Sequence, residues 1–215
     1  MLLVLSRRFA FALLGAWLLA APGTLAAPAP GAPMRIVLLV DSSMSIAPMI
    51  THFRVGLREF LEALPGDPEI MLVSTGGQLR VRAPVTTDRQ KLKDAVGRFS
   101  TDGGANAFLD SLLEADKRFL QAAPERRSVF VILTTDAGQG RGEPRVDEYN
   151  RFVREFHQRG GRAHGIVIHG TNTGMTTEIL RNLTDNTGGF FDSLLIANGL
   201  PAKMKALVDL LAVDQ

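Results

Sequence analysis

Asp41, Ser43 and Ser45 alternate along Asp41-Ser42-Ser43-Met44-Ser45, directly after the apolar run Ile36-Val37-Leu38-Leu39-Val40. Such a run reads as a buried parallel strand. The alternation lets one carboxylate and two hydroxyls converge above the strand's end. These are hard oxygen ligands, of the kind Mg²⁺ accepts while keeping some of its waters. A second carboxylate, Asp136, follows Thr134-Thr135 at the end of another strand-like run, Val129–Leu133. If the two strands are neighbours, both carboxylates sit at one edge of a sheet. Unneutralised, they would repel and one would protonate. A cation resolves that conflict. The competing reading is structural: Asp41 and the serines hydrogen-bond the amides of their own loop and cap the next helix.

Other chemistry is weaker. Ser43 or Ser45 as a nucleophile with His169 as base would make a hydrolase, but no GxSxG elbow or Ser-x-x-Lys pattern accompanies them. His169 alone among the four histidines is expected at the carboxyl end of a strand. A solvent-facing loop is its expected place. Gly138-Gln139-Gly140-Arg141-Gly142 lacks the spacing of a phosphate loop and reads as a flexible segment beside Asp136. Arg118, Arg126 and Arg127 are too sparse for a nucleic-acid footprint.

The elements that must position Asp41 and Asp136 follow from periodicity. Strand-like runs at 35–40, 69–74, 78–84, 128–133, 163–169 and from Phe190-Phe191 alternate with helical spacings. Helices are expected over 49–64, 87–99, from Phe108 to Leu120, from Val146 to Phe156, around Ile179–Leu183 and from Met204 to Leu211. Gly76-Gly77 marks a hairpin, so one edge strand is antiparallel. The fold class is α/β: a doubly wound, mostly parallel six-stranded sheet with one antiparallel edge strand and helices on both faces. Ligands of such sheets bind beyond the carboxyl ends of the strands.

Residues 1–26 read as a signal peptide. Arg7-Arg8 precede an apolar stretch, Phe9 to Ala21, and Thr24-Leu25-Ala26 is a small-residue cleavage site. Ser6-Arg7-Arg8 also has a faint twin-arginine character. Residues 27–33 form a Pro/Ala linker, and 34–215 a single domain. Losing Arg7 and Arg8 reduces 24 basic residues to 22, against 22 acidic ones, so the mature chain is formally neutral. That balance argues against nucleic acid as a partner. There is no cysteine, which excludes disulfides, thiolate metal sites and a cysteine nucleophile. No second apolar segment is long enough to span a membrane. A periplasmic or secreted protein without a stable span after cleavage is expected.

IVLLVDSSMS at 36–45 with its strand, GGANAFLDSLLEA at 103–115, VFVILTTDAG at 129–138 and ILRNLTDNTGGFF at 179–191 occur in the order seen in von Willebrand factor type A domains. The chain resembles that family over residues 34–213. The resemblance implies a metal-ion-dependent adhesion site in which Mg²⁺ or Mn²⁺ is held by Asp41, Ser43 and Ser45. A threonine of a second loop and an aspartate of a third, matching Asp136, would complete it. It further implies a binding module rather than an enzyme, whose protein partner offers a carboxylate to the metal. Two positions depart from the family's pattern. Ala105 stands where Gly-Gly-Thr is usual and brings no oxygen, leaving Asn106, Thr101, Asp102 or a water to substitute. Met44 stands where glycine is common. A metal-independent scaffold with a degenerate site is the alternative.

Overall fold

The computed structural model describes residues 27–29, 31–136, 145–169 and 174–213. Six strands form one sheet: β1 (Met34–Val40), β2 (Glu69–Ser74), β3 (Arg80–Thr86), β4 (Arg127–Thr135), β5 (Arg162–Ile168) and β6 (Phe191–Leu194). Their order is β3-β2-β1-β4-β5-β6, parallel throughout except for the β2–β3 pair. The order reverses at β1, the innermost crossover point, so β1 and β4 are neighbours with Val40 opposite Leu133.

Alternation along β1 sorts the core into two layers, because successive side chains point to opposite faces. Ile36, Leu38 and Val40 pack with α1 (Ile50–Ala63), α2 (Arg89–Gly97) and α6 (Leu200–Val213) through Phe53, Leu57, Leu92, Met204 and Leu207. Val37 and Leu39 pack on the other face with α3 (Phe108–Ala115), α4 (Val146–Gln158) and α5 (Met175–Thr187). There Phe130, Phe152 and Phe156 stack together, with ring centroids 5.5–6.5 Å apart. Both faces of β1 are sealed, as its uninterrupted apolar run demands.

Several boundaries differ from the expectations, each for a physical reason. The first helix begins with a 3-10 turn, Met44–Met49, containing Pro48. The expected hairpin at Gly76-Gly77 is a wider connection over residues 75–79, because Gly76 pairs with Asn106 across the molecule. β3 continues through Pro84 to Thr86. An edge strand tolerates a residue that cannot donate to a ladder. The helix from Phe108 passes at Asp116 into a π turn that reaches Leu120. α5 ends at Gly188 in the left-handed conformation, as its Gly-Gly stop suggests. The leader and the Gly138–Gly142 loop lie outside the described residues. Among those described, no helix is long and apolar enough to cross a membrane.

Candidate functional site

β1 delivers Asp41 to the carboxyl edge of the sheet, where its backbone N–H donates to Leu133 O of β4 at 2.8 Å. The side chain is fully buried. Oδ1 accepts from Ser43 N at 2.7 Å. Oδ2 accepts from Thr135 Oγ1 at 2.5 Å, Thr135 N at 3.2 Å and Asn106 Nδ2 at 3.1 Å. Burial pushes the Asp41 carboxyl above its ordinary range, and the hydrogen bonds from Thr135 and Ser43 hold back only part of that shift. The carboxylate is well bonded yet short of positive charge.

Ser43 is 1% exposed, and among the described residues its Oγ makes no hydrogen bond of good geometry, although it lies near enough to the Asp41 carboxylate to help lower that group's pKa. A buried hydroxyl without a partner costs free energy and calls for an explanation. Ser45 follows in the 3-10 turn, half-buried, and Met44 between them is 57% exposed.

The second loop, residues 98–107, closes over the ends of β1 and β2. Asp102 N donates to Ser42 O at 2.8 Å, Gly77 N to Ala105 O at 2.8 Å and Ala107 N to Thr75 O at 2.9 Å. Two glycines permit this closure. A Cβ on Gly76 would lie 2.7 Å from Ser42 O, and Gly104 adopts φ +80° while a Cβ there would approach Gly77 Cα to 3.3 Å. Ala105 is exposed and Asn106 is buried. Asn106 Oδ1 accepts from Thr75 Oγ1 at 2.6 Å, while Nδ2 donates to Thr134 Oγ1 at 2.8 Å and to Asp41. It therefore turns a donor, not a ligand oxygen, toward Asp41.

Asp102 is committed elsewhere. Its Oδ2 accepts from Ser42 Oγ at 2.7 Å, from Ser74 Oγ at 3.1 Å and from Arg82, and Arg80 lies 3.3 Å from its Oδ1. Burial would raise this carboxyl, but the bonds from Ser42 and Arg82, the Arg82 charge and Ser74 outweigh it and hold it below the ordinary range. Ser42 Oγ in turn accepts from Gly76 N at 2.8 Å. The first loop is thus fastened through Ser42 to β2, β3 and the second loop.

Asp136 reaches the same sheet edge at the end of β4, but its carboxylate faces α5. It accepts from Gly174 N, from Thr177 N at 3.1 Å and from the Thr177 hydroxyl. It caps that helix from outside, where no side chain of α5's own N-cap does so. The fold thus gathers Asp41 and Ser43 with Asn106, Thr134 and Thr135, and turns Asp136 to a separate partner. Thr135, Thr75 and Thr177 escaped sequence reasoning. Thr135 is readable only as the residue before Asp136, and no local pattern marks the other two.

A divalent cation fits part of this set. The unpartnered Ser43 hydroxyl and the charge-deficient Asp41 are what such an ion would engage. Ser45 is the other first-loop hydroxyl. Ala105 contributes no oxygen to the set, and among the described residues no cluster of three or more His, Cys, Asp or Glu side chains is placed to hold a metal.

Residues 36–139 match the sequence profile of the von Willebrand factor type A domain. That stretch, 104 of the chain's 215 residues, carries the sequence of a von Willebrand factor type A domain. Comparison with functionally curated proteins returns no match. Among solved structures, a von Willebrand factor type A protein from Catenulispora acidiphila superposes with a TM-score of 0.66 at 18% identity, over 82% of this chain and 42% of that one. Proximal thread matrix protein 1 from the mussel byssus, with a zinc-occupied MIDAS motif, gives 0.65 at 14%, over 86% and 49%. Manganese-loaded TRAP protein from Plasmodium vivax gives 0.59 at 18%, over 82% and 74%. The chain spans under half the length of the first two. At such identities the likeness is one of fold.

Proposed function

We propose that this type A domain is an exported protein-binding module that engages its partner at the carboxyl edge of the sheet, through a divalent cation held by Ser43, Ser45 and Asp41 with Asp136 nearby. The unpartnered, buried Ser43 hydroxyl beside Asp41 carries this reading. Mg²⁺ or Mn²⁺ would supply the positive charge that Asp41 lacks and an open coordination position for a partner's carboxylate. Support comes from two fold relatives, one manganese-loaded and one with a zinc-occupied MIDAS motif. Residues 1–26 act as the export signal and 27–33 as the linker, giving a periplasmic or secreted product. Binding rather than catalysis suits the site: Ser43 lies beyond β1 and His169 beyond β5, with β4 between those strands. Titration of Mg²⁺ and Mn²⁺ into chelator-stripped protein, followed by calorimetry, tests the proposal. One saturable site, lost in Asp41→Ala, is expected. Equal binding by Asp41→Ala would overturn it.

A second reading has its own observation. Asp41 accepts four hydrogen bonds from the protein, including one from the Asn106 amide, and Ala105 adds no ligand. A metal-independent scaffold would use the same loops as a fixed polar surface. Its partner binding would survive chelator.

A further inference from the structure

Asn106 is 3% exposed, and both ends of its carboxamide are hydrogen-bonded. Two of its partners, Thr75 Oγ1 and Thr134 Oγ1, are hydroxyls, which can donate or accept. The other two, Asp41 Oδ2 at 3.1 Å and Thr135 O at 3.3 Å, are acceptors, the carboxylate when ionised and the carbonyl always. This second pair alone fixes which end of the carboxamide faces Asp41. A half-turn about the Cβ–Cγ bond exchanges the places of Oδ1 and Nδ2. Both hydroxyl bonds survive it, with Nδ2 donating to Thr75 Oγ1 and Thr134 Oγ1 donating to Oδ1. The bonds to Asp41 and Thr135 O are lost, and Oδ1 is set against the carboxylate. Oδ1 then lies where Nδ2 lies now, 3.1 Å from Asp41 Oδ2. Two oxygens on neighbouring corners of an Mg²⁺ octahedron, each about 2.1 Å from the ion, are about 3 Å apart. The turned oxygen has the spacing from Asp41 that a shared cation demands, and the cation removes the repulsion that opposes the turn.

We infer that Asn106 is a cation-coupled amide switch: without the ion its NH2 group holds Asp41, and with the ion the carboxamide turns over and offers Oδ1 to it. The inference rests on the cation reading of the site. The buried carboxamide thereby serves both chemistries of one loop, a donor to a lone carboxylate and an oxygen for a metal, where the exposed Ala105 beside it serves neither. An ion that binds only the turned form has its apparent affinity reduced by the fraction of protein already turned, so Asn106 sets a threshold for binding. The turn also reverses the Thr75 bond, from hydroxyl donating to hydroxyl accepting. Thr75 N donates to Val40 O at 3.1 Å, and Thr75 O accepts from Ala107 N at 2.9 Å. Occupancy is reported through that residue to the ends of β1 and β2 and to the second loop.

The test reads the amide itself. Calorimetry with Mg²⁺ establishes whether the wild type binds the ion, and nuclear magnetic resonance follows the Asn106 NH2 protons in chelator and in saturating Mg²⁺. In chelator these protons should show Overhauser contacts to Thr134 and Thr135. In Mg²⁺ the Thr135 contacts should vanish and contacts to the Thr75 side chain should replace them. Asn106→Ala should bind Mg²⁺ about tenfold or more weaker than the wild type, because an oxygen is lost. Removing a residue that served only as a donor to Asp41 would leave Mg²⁺ binding equal or tighter. The wild-type spectra do not depend on how well that variant folds. An NH2 group that keeps its Thr135 contacts in the ion-loaded protein would overturn the switch and leave the cation site standing. So would one that already faces Thr75 in chelator, or an Asn106→Ala variant that binds Mg²⁺ as tightly as the wild type. Absence of both Mg²⁺ heat and any change at Asn106 would sink the switch and the cation site together.

Discussion

Asn106 Nδ2 donates to Asp41 Oδ2 at 3.1 Å, across 65 residues of sequence, so the second loop supplies the buried carboxylate with a hydrogen-bond donor. The same amide group bonds Thr134, and its oxygen bonds Thr75. One side chain thereby joins the ends of β1, β2 and β4. Asn106→Ala leaves Thr75 and Asp41 each short of a buried partner. A loss of about 2–3 kcal/mol is expected from urea denaturation. Asn106→Asp sets a second carboxylate against Asp41. It should fold poorly at neutral pH and recover when acid or a divalent cation is added, as followed by melting temperature.

Ser43→Ala removes a buried hydroxyl that has no partner among the described residues. Unlike most core changes, it should leave stability unchanged or raise it by about 1 kcal/mol, because an unpaired desolvation cost disappears. Chemical denaturation checks this. A loss of stability would mean that the hydroxyl makes a structural bond.

The site's legibility was uneven. The apolar run before Asp41, and its alternation between two core layers, placed β1 and its acid correctly because both are local properties. β4, with its Thr-Thr-Asp end, was equally plain. The direction in which Asp136 points was not, since Thr177 lies 41 residues further along and meets it only through β5 and α5. Asn106 could be named as a substitute for the missing threonine, but which of its two polar atoms faces Asp41 is set by Thr75, Thr134 and Thr135 together. The connection at Gly76 widened for a similar reason: its partner is Asn106, in a distant loop.

Asp102 gives a pH signature. Its carboxyl is held below the ordinary 3.8 by Ser42, Arg82 and Ser74 despite its burial. A lowered folded value stabilises the fold above the unfolded value and loses that contribution as pH falls through the folded one. The stability gap between wild type and Asp102→Asn should therefore be full at neutral pH and shrink as pH drops below about 3.8. Asp41 has the opposite sign. Its raised value means that ionising it weakens the fold, so this part of the stability declines as pH rises from the unfolded value through the folded one. Denaturation midpoints from acid to neutral pH, with Asp102→Asn alongside, separate the two.

Arg159 Nη2 donates to both carboxylate oxygens of Asp116, at 2.8 Å each, with side chains 6% and 3% exposed. It ties the end of α4 to the π turn after α3. Arg159→Ala leaves the buried Asp116 carboxylate without a counter-charge, held among the described residues only by Gln121 Nε2 at 2.7 Å, and should cost about 3–5 kcal/mol in denaturation experiments. The sheet edge lies at the other end of these helices, so metal affinity in the surviving folded fraction should match the wild type.

The most direct test counts Mn²⁺ bound per chain, from the electron paramagnetic resonance signal of the free ion, in the wild type, Ser43→Ala and Ala105→Thr. Ala105 is exposed, so a threonine there can add an oxygen to the second loop without disturbing the core. One ion per wild-type chain is expected, binding about tenfold or more weaker in Ser43→Ala and tighter in Ala105→Thr. No bound Mn²⁺ in the wild type, or equal affinity in Ser43→Ala, would contradict a cation held at Ser43.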